Sequence, residues 1–319
     1  MSDIHAGIRS RFASAKTILI VSHIRPDGDA IGSTLALGLA LMDIGKQVQM
    51  VLADGVPDGF KHLPGSELIQ TAARGDVDLI ITVDCSDIKR VGSALQGYRN
   101  PDIVIDHHLT TEPFGSLMLV EPEAVATSSI LTKYLPLWGL VITKSIAANL
   151  ITGLVTDTLG FRTSNTSPEA LRQTADLLAL GADMSTLYYH SLVRRTFAGA
   201  RYWGAGLSSL QRSDGIVWAT LTLADRQASG YTLNDDADLI NIISSIDEAD
   251  IGIIFVEQSS HNTKVSWRGL KQHLDVSRVA RQFNGGGHKA AAGADIEGSL
   301  EKIQESVLAA TRKLLNQPY

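Results

Sequence analysis

Four short apolar runs separated by helical segments constrain this chain more than any other feature of it. Residues 17–22 (TILIVS), 47–52 (QVQMVL), 78–83 (DLIITV) and 101–105 (PDIVI) each read as a strand. Between the first two, residues 30–45 form an apolar helical run that ends in glycine. Strands that are apolar on both faces and alternate with helices fit a parallel sheet with helices on both faces, the α/β class.

The chain has 319 residues, too many for one ordinary core, so two domains are expected. After residue 125 the pattern turns helical, at 128–135, 143–156, 168–180 and 184–192. Residues 192–212 contain no loop-forming cluster and read as a helical connector between a first domain, 1–191, and a second, 213–319. The second is smaller and mixes strands at 216–222, 251–256 and 264–268 with helices at 236–245, 276–283 and 300–315. A glycine-rich segment, Gly285-Gly286-Gly287-His288, reads as a loop between its last two helices.

Ligands of an open parallel sheet bind beyond the carboxyl ends of its strands, and polar clusters stand at those ends. The first strand runs into His23-Ile24-Arg25-Pro26-Asp27-Gly28-Asp29, the third ends at Asp84 and the fourth at Asp106-His107-His108. Asp157 closes the helix at 143–156. Taken singly, each aspartate reads as a helix cap or turn former. Taken together, Asp27, Asp29, Asp84 and Asp157 would repel one another unless cations neutralise them. Two divalent ions balance four carboxylates, and His23 and His107 add nitrogen donors suited to manganese, iron or zinc rather than calcium. A shared carboxylate would hold the ions about 3.5 to 4 Å apart, a spacing that clamps a displacement at phosphorus.

Composition narrows the partners. With 28 Lys and Arg against 34 Asp and Glu the formal net charge is −6, the wrong sign for tracking along long nucleic acid. The single cysteine, Cys85, permits no intrachain disulfide and suits a reducing, cytoplasmic setting. The apolar run after Arg9, Arg11 and Lys16 is too short for a secretory signal, and the longest apolar stretch is broken by Lys144, so no membrane partner is expected. No Gly-x-Gly-x-x-Gly follows the first strand, which disfavours a dinucleotide-cofactor enzyme.

The order His-x-x-x-Asp-x-Asp, then Asp, then Asp-His-His, then Asp resembles the motif set of the DHH phosphoesterase superfamily. Gly285-Gly286-Gly287-His288 followed by Lys289-Ala290-Ala291-Ala292-Gly293 is similar to the signature of the DHH-associated C-terminal domain, so the resemblance spans nearly the whole chain. Thr156-Asp157-Thr158 with Phe161-Arg162 and Asn165-Thr166 places it nearest the branch of nano-RNases and 3′-phosphoadenosine-5′-phosphate phosphatases. Asn284 stands where many relatives carry a further glycine. The resemblance implies two divalent ions, manganese first among them, with His23, Asp27 and Asp84 on one and Asp29, Asp84, His107 and Asp157 on the other. It implies that Asp84 bridges, that His108 faces the phosphate and protonates the leaving oxygen, and that Asp106 orients a histidine. Arg162, Arg268, Gly285, Gly286, Gly287 and His288 are the candidate substrate contacts, with Arg90 and Arg281 weaker ones.

The expected activity is hydrolysis of short oligoribonucleotides or nucleoside 3′,5′-bisphosphates by a metal-activated water. The alternatives are a linear or cyclic dinucleotide phosphodiesterase and a non-catalytic nucleotide-binding regulator. The expected partner is a small nucleotide; a homodimer is left open.

Overall fold

A computed structural model of the protein describes residues 4–111, 113–271 and 273–316. The chain divides into two compact units after Arg194.

In the first unit the order is α1 (Ile4–Ser14), β1 (Thr17–Val21), α2 (Gly28–Asp43), β2 (Gln47–Val51), β3 (Ile69–Gln70), β4 (Leu79–Val83), β5 (Ile103–Asp106), β6 (Leu117–Val120), α3 (Thr127–Tyr134), α4 (Lys144–Asp157), α5 (Pro168–Ala179) and α6 (Met184–Tyr188). The strands form one sheet in the order β3-β2-β1-β4-β5-β6. Every pairing is parallel, with Ile18 opposite Val48 on one side and Leu79 on the other.

Alternation along β1 explains why its sequence is apolar throughout. Ile18 and Ile20 face the large core that holds α2, α3 and α4, whereas Leu19 and Val21 face a smaller core with Ile80, Cys85, Val91 and Ala94. That second face is covered by the 3₁₀ segment Ile88–Leu95, kinked at Gly92. Helix α2 is buried nearly all round, as expected of a helix lacking a polar stripe. Each fully buried Ile or Leu on it contributes roughly 1.5–3 kcal/mol relative to exposure. Its neighbour α4 lies so close that a Cβ on Gly32 would stand 2.4 Å from the carbonyl oxygen of Asn149.

The second unit comprises α7 (Phe197–Ser208), β7 (Gln211–Ser213), β8 (Ile216–Leu221), α8 (Leu223–Ser229), α9 (Leu239–Ile243), β9 (Ile251–Ser259), β10 (Asn262–Gly269), α10 (Ser277–Ala280), β11 (Gly286–Gly287), β12 (Ala291–Glu297) and α11 (Leu300–Leu315). Its sheet runs β11-β12-β10-β9-β8-β7 and is mixed: β8 and β9 are parallel and the other pairs antiparallel. One face packs Phe255 and Trp267 beside Val307 of α11, and the other packs Val217 and Ile254 beside Tyr202 and Leu239.

Several details depart from the sequence reading. The segment 192–212 is not one continuous helix: a π-helical turn, Tyr189–Val193, precedes α7, and α7 packs against α8 and β8 of the second unit. The expected helix at 276–283 is the short α10 followed by a 3₁₀ turn, Arg281–Phe283. The expected glycine loop contributes β11, which folds back on β12 as a hairpin. Both β6 and β12 escaped the sequence reading: β6 is a short edge strand with only Leu119 buried, and β12 has an Ala-Ala-Gly start of poor strand propensity.

Candidate metal centre

Strand order reverses between β1 and β4: the chain leaves β1 toward β2 and β3, then returns to place β4 on the other side. A crevice opens beyond the strand ends at such a reversal. His23 follows β1 there, Asp84 follows β4, and Asp106 ends β5 ahead of His107 and His108. Asp27 caps α2, accepting the N–H groups of Asp29 and Ala30, and Asp157 is the last residue of α4. Asp29 therefore lies in the first turn of a helix rather than in a free turn.

These side chains meet. His23 Nε2 lies 3.5 Å from Asp84 Oδ2 and 3.9 Å from Asp27 Oδ2. His107 Nε2 lies 3.6 Å from Asp84 Oδ1 and 3.2 Å from Asp157 Oδ2. Asp84 thus turns one oxygen toward each histidine. Among the described residues, three groups of donors have ligand atoms within 4.8 Å of one another: His23, Asp27 and Asp84; Asp29, His107 and Asp157; and Asp84, His107 and His108. The backbone is strained around them, with positive φ at Arg25 (54°), Asp84 (51°), Leu159 (47°) and Phe161 (65°). Each such residue costs about 1–3 kcal/mol, which surrounding structure must offset.

Electrostatics show a centre short of positive charge. Burial, and then the neighbouring charge of Asp84, lifts the Asp29 carboxyl to about 7. Burial and Asp29 raise Asp157, and burial and Asp84 raise Asp27. Burial pulls His107 down, but its hydrogen bond to Asp157 and the charges of Asp29 and Asp157 lift it to about 10. Burial would raise Asp84, yet the hydrogen bond from His23 and the charges of His107 and His23 hold it at about 2. Protons gather where cations would balance the carboxylates. Carboxylate and imidazole donors converging in this way fit divalent transition-metal ions.

Each histidine is oriented by its other ring nitrogen. His23 Nδ1 lies 2.8 Å from the Ile24 carbonyl and His107 Nδ1 3.3 Å from that of Ala124, which turns both Nε2 atoms to the carboxylates. His108 Nδ1 is 2.8 Å from Asp106 Oδ1. Asp106 is fully buried and also accepts the His107 N–H and the Thr111 hydroxyl. As an N–H donor to Asp106, His108 Nδ1 cannot ligate a cation, so Nε2 is the atom suited to meet a substrate.

The sequence reading missed the amino end of α3. Asp29 is fully buried, and its oxygens accept the N–H groups of Thr127 at 2.6 Å and Ser128 at 2.9 Å. The Thr127 hydroxyl donates to Asp84 Oδ1 at 3.2 Å. The only trace in the sequence is a Thr-Ser-Ser run opening an apolar helix, which says where a helix starts and nothing about its target.

The candidate substrate contacts are spread along the chain, with Arg90 and Arg162 following Asp84 and Asp157 and the others in the second unit. Arg162 is exposed and its Nε donates to the Leu159 carbonyl. Arg268, in the second unit, is held below the usual arginine range by burial, with Asp236 and Asp238 opposing the shift. Arg281 is engaged by Ser277 and Asp275, and Arg90 contributes its carbonyl to the Ile24 N–H. The glycines have a structural cause of their own: a Cβ on Gly285 would stand 2.3 Å from the Gly293 carbonyl oxygen, and one on Gly287 2.5 Å from that of Ala291. His288 is exposed at the hairpin turn. Asn284 has φ 57°, a left-handed conformation that asparagine tolerates nearly as glycine does.

Residues 17–182 match the DHH family, N-terminal domain, and residues 223–316 match the DHHA1 domain; the chain belongs to the DHH family. Among its relatives, the bifunctional oligoribonuclease and PAP phosphatase NrnA of Thermus thermophilus is 33% identical over 306 residues, covering 94% of this chain and 90% of that one. The protein of the same name from Bacillus subtilis is 24% identical, covering 88% and 89%. An exopolyphosphatase-related protein from Bacteroides fragilis superposes with a TM-score of 0.89 at 28% identity, covering 98% of each chain. RecJ from Thermus thermophilus, solved with Mn2+, shares the fold at a TM-score of 0.56 and 16% identity, covering 98% of this chain and 55% of that one.

Proposed function

We propose that this protein is a divalent-metal-dependent phosphoesterase that hydrolyses short oligoribonucleotides and nucleoside 3′,5′-bisphosphates. The observation that carries the reading is the convergence of Asp27, Asp29, Asp84 and Asp157 with His23 and His107 at the reversal of strand order, with Asp84 turned to both histidines. The names of the Thermus and Bacillus relatives, oligoribonuclease and PAP phosphatase, supply the substrate class.

His23, Asp27 and Asp84 would hold one ion, and Asp29, Asp84, His107 and Asp157 the other. Bound there, such ions, manganese by preference, supply Lewis acidity and lower the pKa of water at the reacting phosphorus. His108, steered by Asp106, presents Nε2 to the phosphate and donates a proton to the departing ester oxygen. In the second unit, Arg268, His288 and the backbone of Gly285, Gly286 and Gly287 would grip a terminal phosphate; in the first, Arg162 would do so.

The test is an assay in manganese comparing kcat/KM for adenosine 3′,5′-bisphosphate, linear dinucleotides, five-residue RNA, long RNA, cyclic dinucleotides and pyrophosphate. The bisphosphate and the shortest RNAs should dominate, and a chelator should abolish turnover. Turnover confined to pyrophosphate or to long RNA would overturn the substrate assignment.

A further inference from the structure

One residue that no catalytic motif contains touches two of the clustered carboxylates at once, one with its main chain and one with its side chain. Thr127 is fully buried at the first position of α3. Its N–H donates to Asp29 Oδ2 at 2.6 Å and its hydroxyl to Asp84 Oδ1 at 3.2 Å. The Ser128 N–H takes the other Asp29 oxygen at 2.9 Å.

A carboxylate joined to its backbone by rotatable bonds can present its two oxygens in many directions. In Asp84, Oδ1 faces His107 and Oδ2 faces His23, and Thr127 binds Oδ1. The hydroxyl therefore selects the rotation in which both donor groups are served. For Asp29, α3 does the same with main-chain N–H groups at a helix amino end, where the unsatisfied donors and the dipole favour a negative charge.

We propose that Thr127 is a positioning residue for the metal centre, setting the rotation of the Asp84 carboxylate by its hydroxyl while its amide anchors Asp29. The inference rests on the metal-dependent reading above, and the experiment separates the two.

Manganese binding to the chelator-treated full chain is followed by the electron paramagnetic resonance signal of free Mn2+, for wild type, Thr127→Val and Thr127→Ser. Valine keeps the shape and the amide but lacks the hydroxyl, whereas serine restores it. Loss of such an outer partner typically weakens metal affinity about 10–100-fold, so that loss is expected for Thr127→Val, with recovery to within about threefold for Thr127→Ser. Circular dichroism of the two variants should match wild type, and kcat should recover in Thr127→Val at saturating manganese.

If Thr127→Val binds manganese as wild type does, the positioning role is wrong while the metal centre stands. If Thr127→Ser is as impaired as Thr127→Val, packing rather than the hydroxyl is responsible and the inference is overturned. If wild type binds no manganese, the metal-dependent reading falls and this inference with it.

Discussion

His108 and His107 are adjacent in sequence, and their second ring nitrogens assign them different work. His107 spends Nδ1 on the Ala124 carbonyl and aims Nε2 at Asp84 and Asp157, whereas His108 gives Nδ1 to Asp106. Replacing His108 by asparagine should lower kcat by about 10²–10⁴ while leaving the manganese stoichiometry unchanged, measured by steady-state kinetics beside a metal titration. Loss of a bound ion instead would make His108 a ligand, grouped with Asp84 and His107. The difference was legible only in part. The sequence supplied the Asp-His-His triplet, but only coordinates show which nitrogen Asp106 takes. Thr111, which also binds Asp106, carries no pattern a sequence reader could use. Cys85 is fully buried, and burial pushes its thiol up to about 12.

At the level of elements, α2 and α4 bring Asp27, Asp29 and Asp157 into range because their backbones nearly touch. Gly32 permits this, since the atom its Cβ would meet is a backbone carbonyl that cannot swing aside. Gly32→Ala should therefore cost about 1–3 kcal/mol through overpacking. Calorimetry should show a fall in Tm of several degrees, and an unchanged Tm would mean that the helices separate freely. The strands β1 and β4 were readable because both of their faces are buried, so each is a nearly continuous apolar run, while β2 was readable from the alternation of Gln and apolar residues at its start. Where one face is exposed or the strand is very short, as in β3 and β6, the pattern is too brief to register. The Ala- and Gly-rich β12 was hidden for another reason: pairing with β10, not its own composition, makes it a strand.

Across the whole molecule, the clustered acids couple stability to pH and to cations. Asp29 and His107 are raised to about 7 and about 10. A group whose folded-state pKa is raised stabilises the fold fully below its unfolded value, and that stability is lost as pH rises through the folded value. Without metal, then, Tm should fall as pH climbs through about 7 and on toward 10, and differential scanning calorimetry of chelator-treated protein measures it. Added manganese should raise Tm more at the alkaline end of that window, because ligation needs the deprotonated side chains. A metal-free Tm that rose with pH would contradict the charge balance described. Among the described residues no helix is long and apolar enough to cross a membrane.

The reversal of strand order also has a consequence for biosynthesis. Donors drawn from β1, α2, β4, β5 and α4 run from position 23 to position 157, so no nascent fragment that stops before the end of α4 owns the full set. Under the proposed assignment, the ion held by Asp29, Asp84, His107 and Asp157 would lack its last ligand until α4 has been synthesised, whereas His23, Asp27 and Asp84, the ligands of the other, all precede position 85.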